Sequence, residues 1–233
     1  MHSKDNEFEP TDSLSNDNLP IPTAFFYTVF TLVSLGLVIW SIYLFSQSFS
    51  ISVLLLIFIV SGMTYDNSVL LIGCWAEENS RLEFLHRLRF LIHQLFIPTL
   101  IVAVVKIAQS VGIELLTTTI VDYGSWGVSL GLILFGTVSG NCFQSELKLV
   151  RSSGALRYIP KDFSPLPAIL TTAFVTIIGL DFWLHSQSPW ILVGGVLVLI
   201  GNAISNRFGG EVMNAAVELG LMGAILTTAS VML

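Results

Sequence analysis

The segment RLEFLHRLRFLIHQLFIP, residues 81–98, carries Arg81, Glu83, His86, Arg87, Arg89 and His93 directly ahead of a long apolar run. Guanidinium groups hold anions, and imidazoles exchange protons near neutral pH. At about 100° per residue, His86, Arg89 and His93 fall on one helix face, whereas Arg87 points away and is expected to snorkel to lipid headgroups. Other apolar segments carry matching groups: Asp66 and Asn67, Asn141, then Asn202 and Asn206 one turn apart. Glu211, Asn214 and Glu218 share a further helix face. The acid–base chemistry is expected from His93, Glu218 and Asp66, the last orienting an imidazole. Ligand holding is expected from Arg89, His86, Asn67 and Asn141, with Asn202, Asn206, Glu211 and Asn214 completing the set.

Several chemistries lack their signatures. The sequence has no G-x-S-x-G, H-E-x-x-H, P-loop or Gly-rich dinucleotide fingerprint. His86 and His93 are separated by about 10 Å of helical rise, too far to ligate one haem from both sides. No lysine lies deep in the last span to form a retinal Schiff base. A metal set drawn from His86, His93, Asp66 and Glu218 has no ligand spacing to recommend it. Neither metal nor cofactor is expected.

The elements that must position these residues are membrane helices. Charged residues make up only 11% of the chain, far below the roughly 25% of a soluble domain. With a mean hydropathy of +0.79, the solvent is lipid. No basic patch with interleaved aromatics suggests nucleic acid. Cys74 and Cys142 lie in or beside apolar segments and read as small buried hydrophobes. Residues 1–20 are polar and acidic and are expected to form a disordered tail, not a signal peptide.

Residues 21–233 are read as one all-α transmembrane domain of seven helices, at 23–45, 50–75, 82–107, 124–145, 166–186, 189–206 and 211–232. Alternating their ends puts nine of the ten Lys and Arg residues on the side of the N-terminus, with only Lys106 opposite. That asymmetry predicts a cytoplasmic N-terminus, a C-terminus outside, and residence in the inner (cytoplasmic) membrane or its equivalent. Gly127-x-x-x-Gly131 and Gly136-x-x-x-Gly140 suggest close packing, which would make the fourth span the centre of the bundle. Residues 146–165 read as a basic loop.

Topology converts position into depth. The polar groups of spans two, three, four, six and seven share the cytoplasmic half, predicting an inward-open pocket. Arg89 is expected to pair with Asp66 or Glu218, and Pro98 to bend the third span. Asp66-Asn67 is a point where the second helix could break. Asp181 and His185, near Asp122, form a separate outer group. An enzyme or binder of an amphipathic lipid or isoprenoid is the expected function, with membrane lipid and a small molecule as partners. The alternatives are a small proton-coupled transporter and a structural or assembly subunit.

Overall fold

The computed structural model describes residues 20–113, 116–140, 145–152, 154–161, 164–186, 188–208 and 210–232. The expected N-terminal tail lies outside them, as do Asn141 and Cys142. Eight helices and one β-hairpin are present among the described residues: α1 (Pro20–Ser48), α2 (Ile51–Gly73), α3 (Ser80–Phe96), α4 (Thr99–Ser110), α5 (Thr119–Gly140), β1 (Leu147–Ser152), β2 (Ala155–Pro160), α6 (Leu166–Ser186), α7 (Trp190–Phe208) and α8 (Gly210–Met232). Six helical segments are long and apolar enough to cross a membrane: α1, α2, α3 with α4, α5, α6 and α8. The apolar stretch of α7, Trp190–Ile204, is shorter. The chain has the character of a multi-pass integral membrane protein.

The third span is two helices. Pro98 has no N–H to continue the ladder, so α3 ends at Phe96 and α4 resumes at Thr99. The Thr99 hydroxyl donates to the Phe96 carbonyl at 2.7 Å and helps to satisfy the turn. The interruption falls at the residue where a bend is expected. Asn79 caps α3 by accepting from the Leu82 amide at 2.8 Å. The second span, by contrast, does not break at Asp66-Asn67: α2 runs unbroken from Ile51 to Gly73. Its stripe of Val53, Leu56, Val60, Met63, Asn67 and Leu70 recurs at helical spacing and is buried throughout.

The centre of the bundle is α4, not the fourth predicted span. From Leu100 to Val105, and again at Ile107 and Ala108, every residue of α4 is buried. The fourth span, α5, buries only a narrow stripe that includes Ser125, Ser129 and Leu132. Gly127 and Gly131 lie off that stripe with open space beside them, and Gly136 alone of the described motif glycines approaches neighbours, Pro167 and Gln94. Close approach is carried by other glycines. A Cβ on Gly195 would lie 2.3 Å from Thr176 Oγ1, and one on Gly201 would lie 2.9 Å from Val217. These contacts run α7 antiparallel between α6 and α8. Along α1, Tyr27, Ser34 and Ser41 recur every seventh residue and are buried, α2 being the neighbour α1 packs against most closely.

The basic loop is a β-hairpin. Leu147 pairs with Pro160 and Ser152 with Ala155 in an antiparallel register. Gly154, at φ 81°, takes the left-handed conformation that the tight connection needs. Strand β2 is buried on both faces. Leu156 and Tyr158 pack on Leu82 of α3, while Ala155 packs on Tyr27 of α1 and Leu70 of α2. Gly73 makes room for it: a Cβ there would lie 2.4 Å from the Leu156 carbonyl oxygen. The hairpin thus closes one end of the bundle, called here the hairpin end.

Candidate functional site

Directly above the hairpin lies a cavity of about 430 Å³, within the range of small-molecule sites. Strand β2 gives it Ile159, and α2 gives it Met63, Asp66, Asn67 and Leu70. From α3 come Arg89, Phe90 and His93; α6 and its approach add Pro165, Ala168 and Ile169. Asn202 of α7, with Asn214, Ala215 and Glu218 of α8, complete the wall. Seven of the eleven residues singled out in the sequence therefore meet in one hollow, namely Asp66, Asn67, Arg89, His93, Asn202, Asn214 and Glu218.

Of the remaining four, His86 lies elsewhere and the other three fall outside the described side chains. His86 is completely buried one turn from Arg89, but beneath the hairpin, its ring 6.1 Å from that of Tyr158. Neither of its ring nitrogens has a hydrogen-bond partner among the described residues. Asn141 lies outside the described residues. Asn206 and Glu211 fall in α7 and α8, but their side chains are outside the described set. The wall also differs from expectation by element. The fifth predicted span, α6, and strand β2 contribute, whereas no described residue of α5 does.

Two polar levels follow from helix geometry. Arg89 is ion-paired to Asp66 through Nε, joining α3 to α2, and its Cζ lies 5.3 Å from the centroid of the Phe90 ring. Of the two partners offered by the sequence, Asp66 rather than Glu218 takes it. His93 follows four residues later on the same face, about 6 Å deeper. Glu218 stands one turn beyond Asn214 on α8 in the same way. His93 and Glu218 form no hydrogen bond or ion pair with the described residues, and both border the cavity. Met63, Leu70, Phe90, Ile159 and Ile169 supply the apolar remainder. The arrangement can hold a molecule with a polar end and a hydrocarbon body, and it offers an imidazole and a carboxyl for proton exchange.

Two basic residues depart from their expected roles. Arg87 does not snorkel to lipid. It bonds Glu83 at 2.9 Å and donates to the Ser145 carbonyl at 3.2 Å, tying α3 to the chain entering the hairpin. Arg157 is only 3% exposed, on the face of β2 that also carries Ala155 and Ile159. Burial pushes its pKa down to about 10, against the opposing influence of Tyr27. Sequence reasoning missed this buried cation because it took residues 146–165 for a loop. The Ser-Gly dipeptide before ALRYIP was the available hairpin signal.

The outer groups separate into two pairs. Lys106 Nζ lies 2.7 Å from Asp122, and His185 Nδ1 lies 3.4 Å from Asp181. Among the described residues, no cluster of three or more His, Cys, Asp or Glu side chains is arranged to hold a metal ion. No protein-family model matches the chain, and no curated protein is significantly similar to it.

Proposed function

We propose that this protein crosses the membrane seven times, N-terminus in the cytoplasm, and binds the polar end of an amphipathic lipid or isoprenoid in the inner leaflet. His93, Glu218 and Asp66 then serve as acid–base groups on that ligand, with Arg89, Asn67, Asn202 and Asn214 holding it. The single observation that carries this reading is the cavity, in which an Arg–Asp pair, an imidazole, a carboxyl and three asparagines share the wall with apolar side chains. Ionisable groups at membrane depth are costly and ordinarily answer to a ligand, a partner or water.

Two features support the topology. The antiparallel packing of α7 between α6 and α8 favours a seventh crossing despite its shorter apolar stretch. Lys148, Arg151, Arg157 and Lys161 on and beside the hairpin, with Arg81 at the start of α3, favour a cytoplasmic hairpin end.

The transporter reading is less well supported. A transport path needs polar stations on both sides of the site. Further along α4 and α8 from His93 and Glu218, Val104, Ile107, Ala108, Ile225, Leu226 and Ala229 belong to the buried apolar core, all at most 2% exposed.

Purification of the full chain in mild detergent, followed by extraction and mass spectrometry, tests the proposal. The expected result is one amphiphile enriched over the bulk lipid and depleted in the His93→Ala and Arg89→Ala proteins. A lipid profile equal to the bulk membrane in all three overturns it. Movement of protons or solute across liposomes supports the transporter instead. Intact phenotypes for both variants leave an assembly role.

A further inference from the structure

The cavity has two polar levels, and a ligand with a single polar head satisfies only one. A phosphate or carboxylate held at Arg89 leaves His93 and Glu218, about 6 Å deeper, facing hydrocarbon. Both groups lack any hydrogen bond or ion pair with the described residues. Leaving a polar group buried without a partner costs more than a hydrogen bond returns. The ligand that removes this cost carries a second polar atom about one helical turn below the first.

We infer that the bound head is a six-membered ring with oxygens at opposite positions, a quinone or its hydroquinone, with one oxygen at the Arg89–Asp66 level and the other at His93 and Glu218. This rests on the lipid-binding reading above and narrows it to one head chemistry. The long axis of such a ring matches the spacing of the two levels. Phe90, Met63 and Ala215 give the same wall apolar surface for the face of a ring. A rigid flat head loses little conformational freedom on binding, unlike a chain with two separate polar groups. The two oxygens find both kinds of partner, since a guanidinium donates, an imidazole donates or accepts, and a carboxyl does either according to its protonation. A cationic head is disfavoured at the upper level, where Asp66 is already engaged by Arg89.

A matched set of probes tests this on the detergent-solubilised full chain: a decyl-substituted para-hydroquinone, the decylphenol lacking the deeper hydroxyl, decylbenzene and decyl phosphate. The expected order places hydroquinone about tenfold or more above phenol, and phenol above decylbenzene. In a His93→Leu/Glu218→Leu protein, the difference between hydroquinone and phenol should vanish while phenol binding persists. Should that protein not fold, the wild-type ratio and the milder Glu218→Gln variant, in which the ratio should shrink, carry the test. Equal binding of hydroquinone and phenol, or tighter binding of decyl phosphate, overturns the ring inference and leaves the lipid-binding reading standing. Failure of all four probes to bind overturns both.

Discussion

Arg89 of α3 and Asp66 of α2 are ion-paired in the wall of the cavity, with side chains only 12% and 23% exposed. Breaking a buried pair by removing one partner is more damaging than replacing both, because the survivor keeps its charge without compensation. Arg89→Ala should therefore destabilise the protein by about 3–5 kcal/mol. The Asp66→Asn/Arg89→Gln double variant should recover a large part of that loss. Thermal unfolding of the wild type, Asp66→Asn, Arg89→Gln and the double variant in one detergent gives the coupling directly, and additive losses contradict it.

Gly73 and the Leu156 carbonyl are in mutual contact, so a methyl at position 73 must push β2 away. Gly73→Ala is expected to cost about 1–3 kcal/mol by overpacking and to raise hydrogen exchange across residues 147–160. Gly36→Ala is the control, since nothing lies within 4 Å of its Cβ position. Equal exchange in both proteins means that the hairpin does not depend on this contact.

The α1 stripe of Tyr27, Ser34 and Ser41 is small where it counts. Ser34 and Ser41 are fully buried and return their hydroxyls to the Thr31 and Val38 carbonyls at 3.0 and 2.8 Å. Ser41→Leu should force α1 off α2 and lower stability by about 1–3 kcal/mol. Ser46→Leu, at an exposed position near the end of α1, should not. A thermal melt of each protein decides between them.

At the base of the hairpin, Lys161 bonds Glu146 and holds its carboxyl below the ordinary value of 4.5. A depressed folded-state value means that the stabilising contribution is present above the unfolded-state value and is lost as the pH falls through the folded one. Titration of Glu146 by carbon NMR should give a midpoint under 4.5, and Lys161→Gln should restore the ordinary range. Because both groups face solvent, the Lys161→Gln change in stability at neutral pH should be small.

Co-location was the most legible property of the sequence. Helical periodicity and span boundaries put Asp66, Arg89, His93, Asn214 and Glu218 near a common level, and these residues do line one cavity. Azimuth was less legible. His86 shares a helix face with Arg89 and His93, yet its turn lies under β2, and no local pattern reveals a strand that arrives from residues 155–160. The glycine motif of α5 failed for a related reason. Spacing shows that a backbone can be approached, but not whether a neighbour is there, and beside Gly127 none lies within 4 Å.

The wall of the hollow is shared between earlier-made and later-made parts of the chain. Strand β2 can dock on α1, α2 and α3 as soon as it leaves the ribosome, because all three precede it. Asn214 and Glu218 come later, with α8, which then packs on α1 and α2. During synthesis the Arg89–Asp66 pair must therefore wait, open on one side, for the rest of its enclosure. A nascent chain halted before α8 would insert and yet have nowhere to keep a ligand.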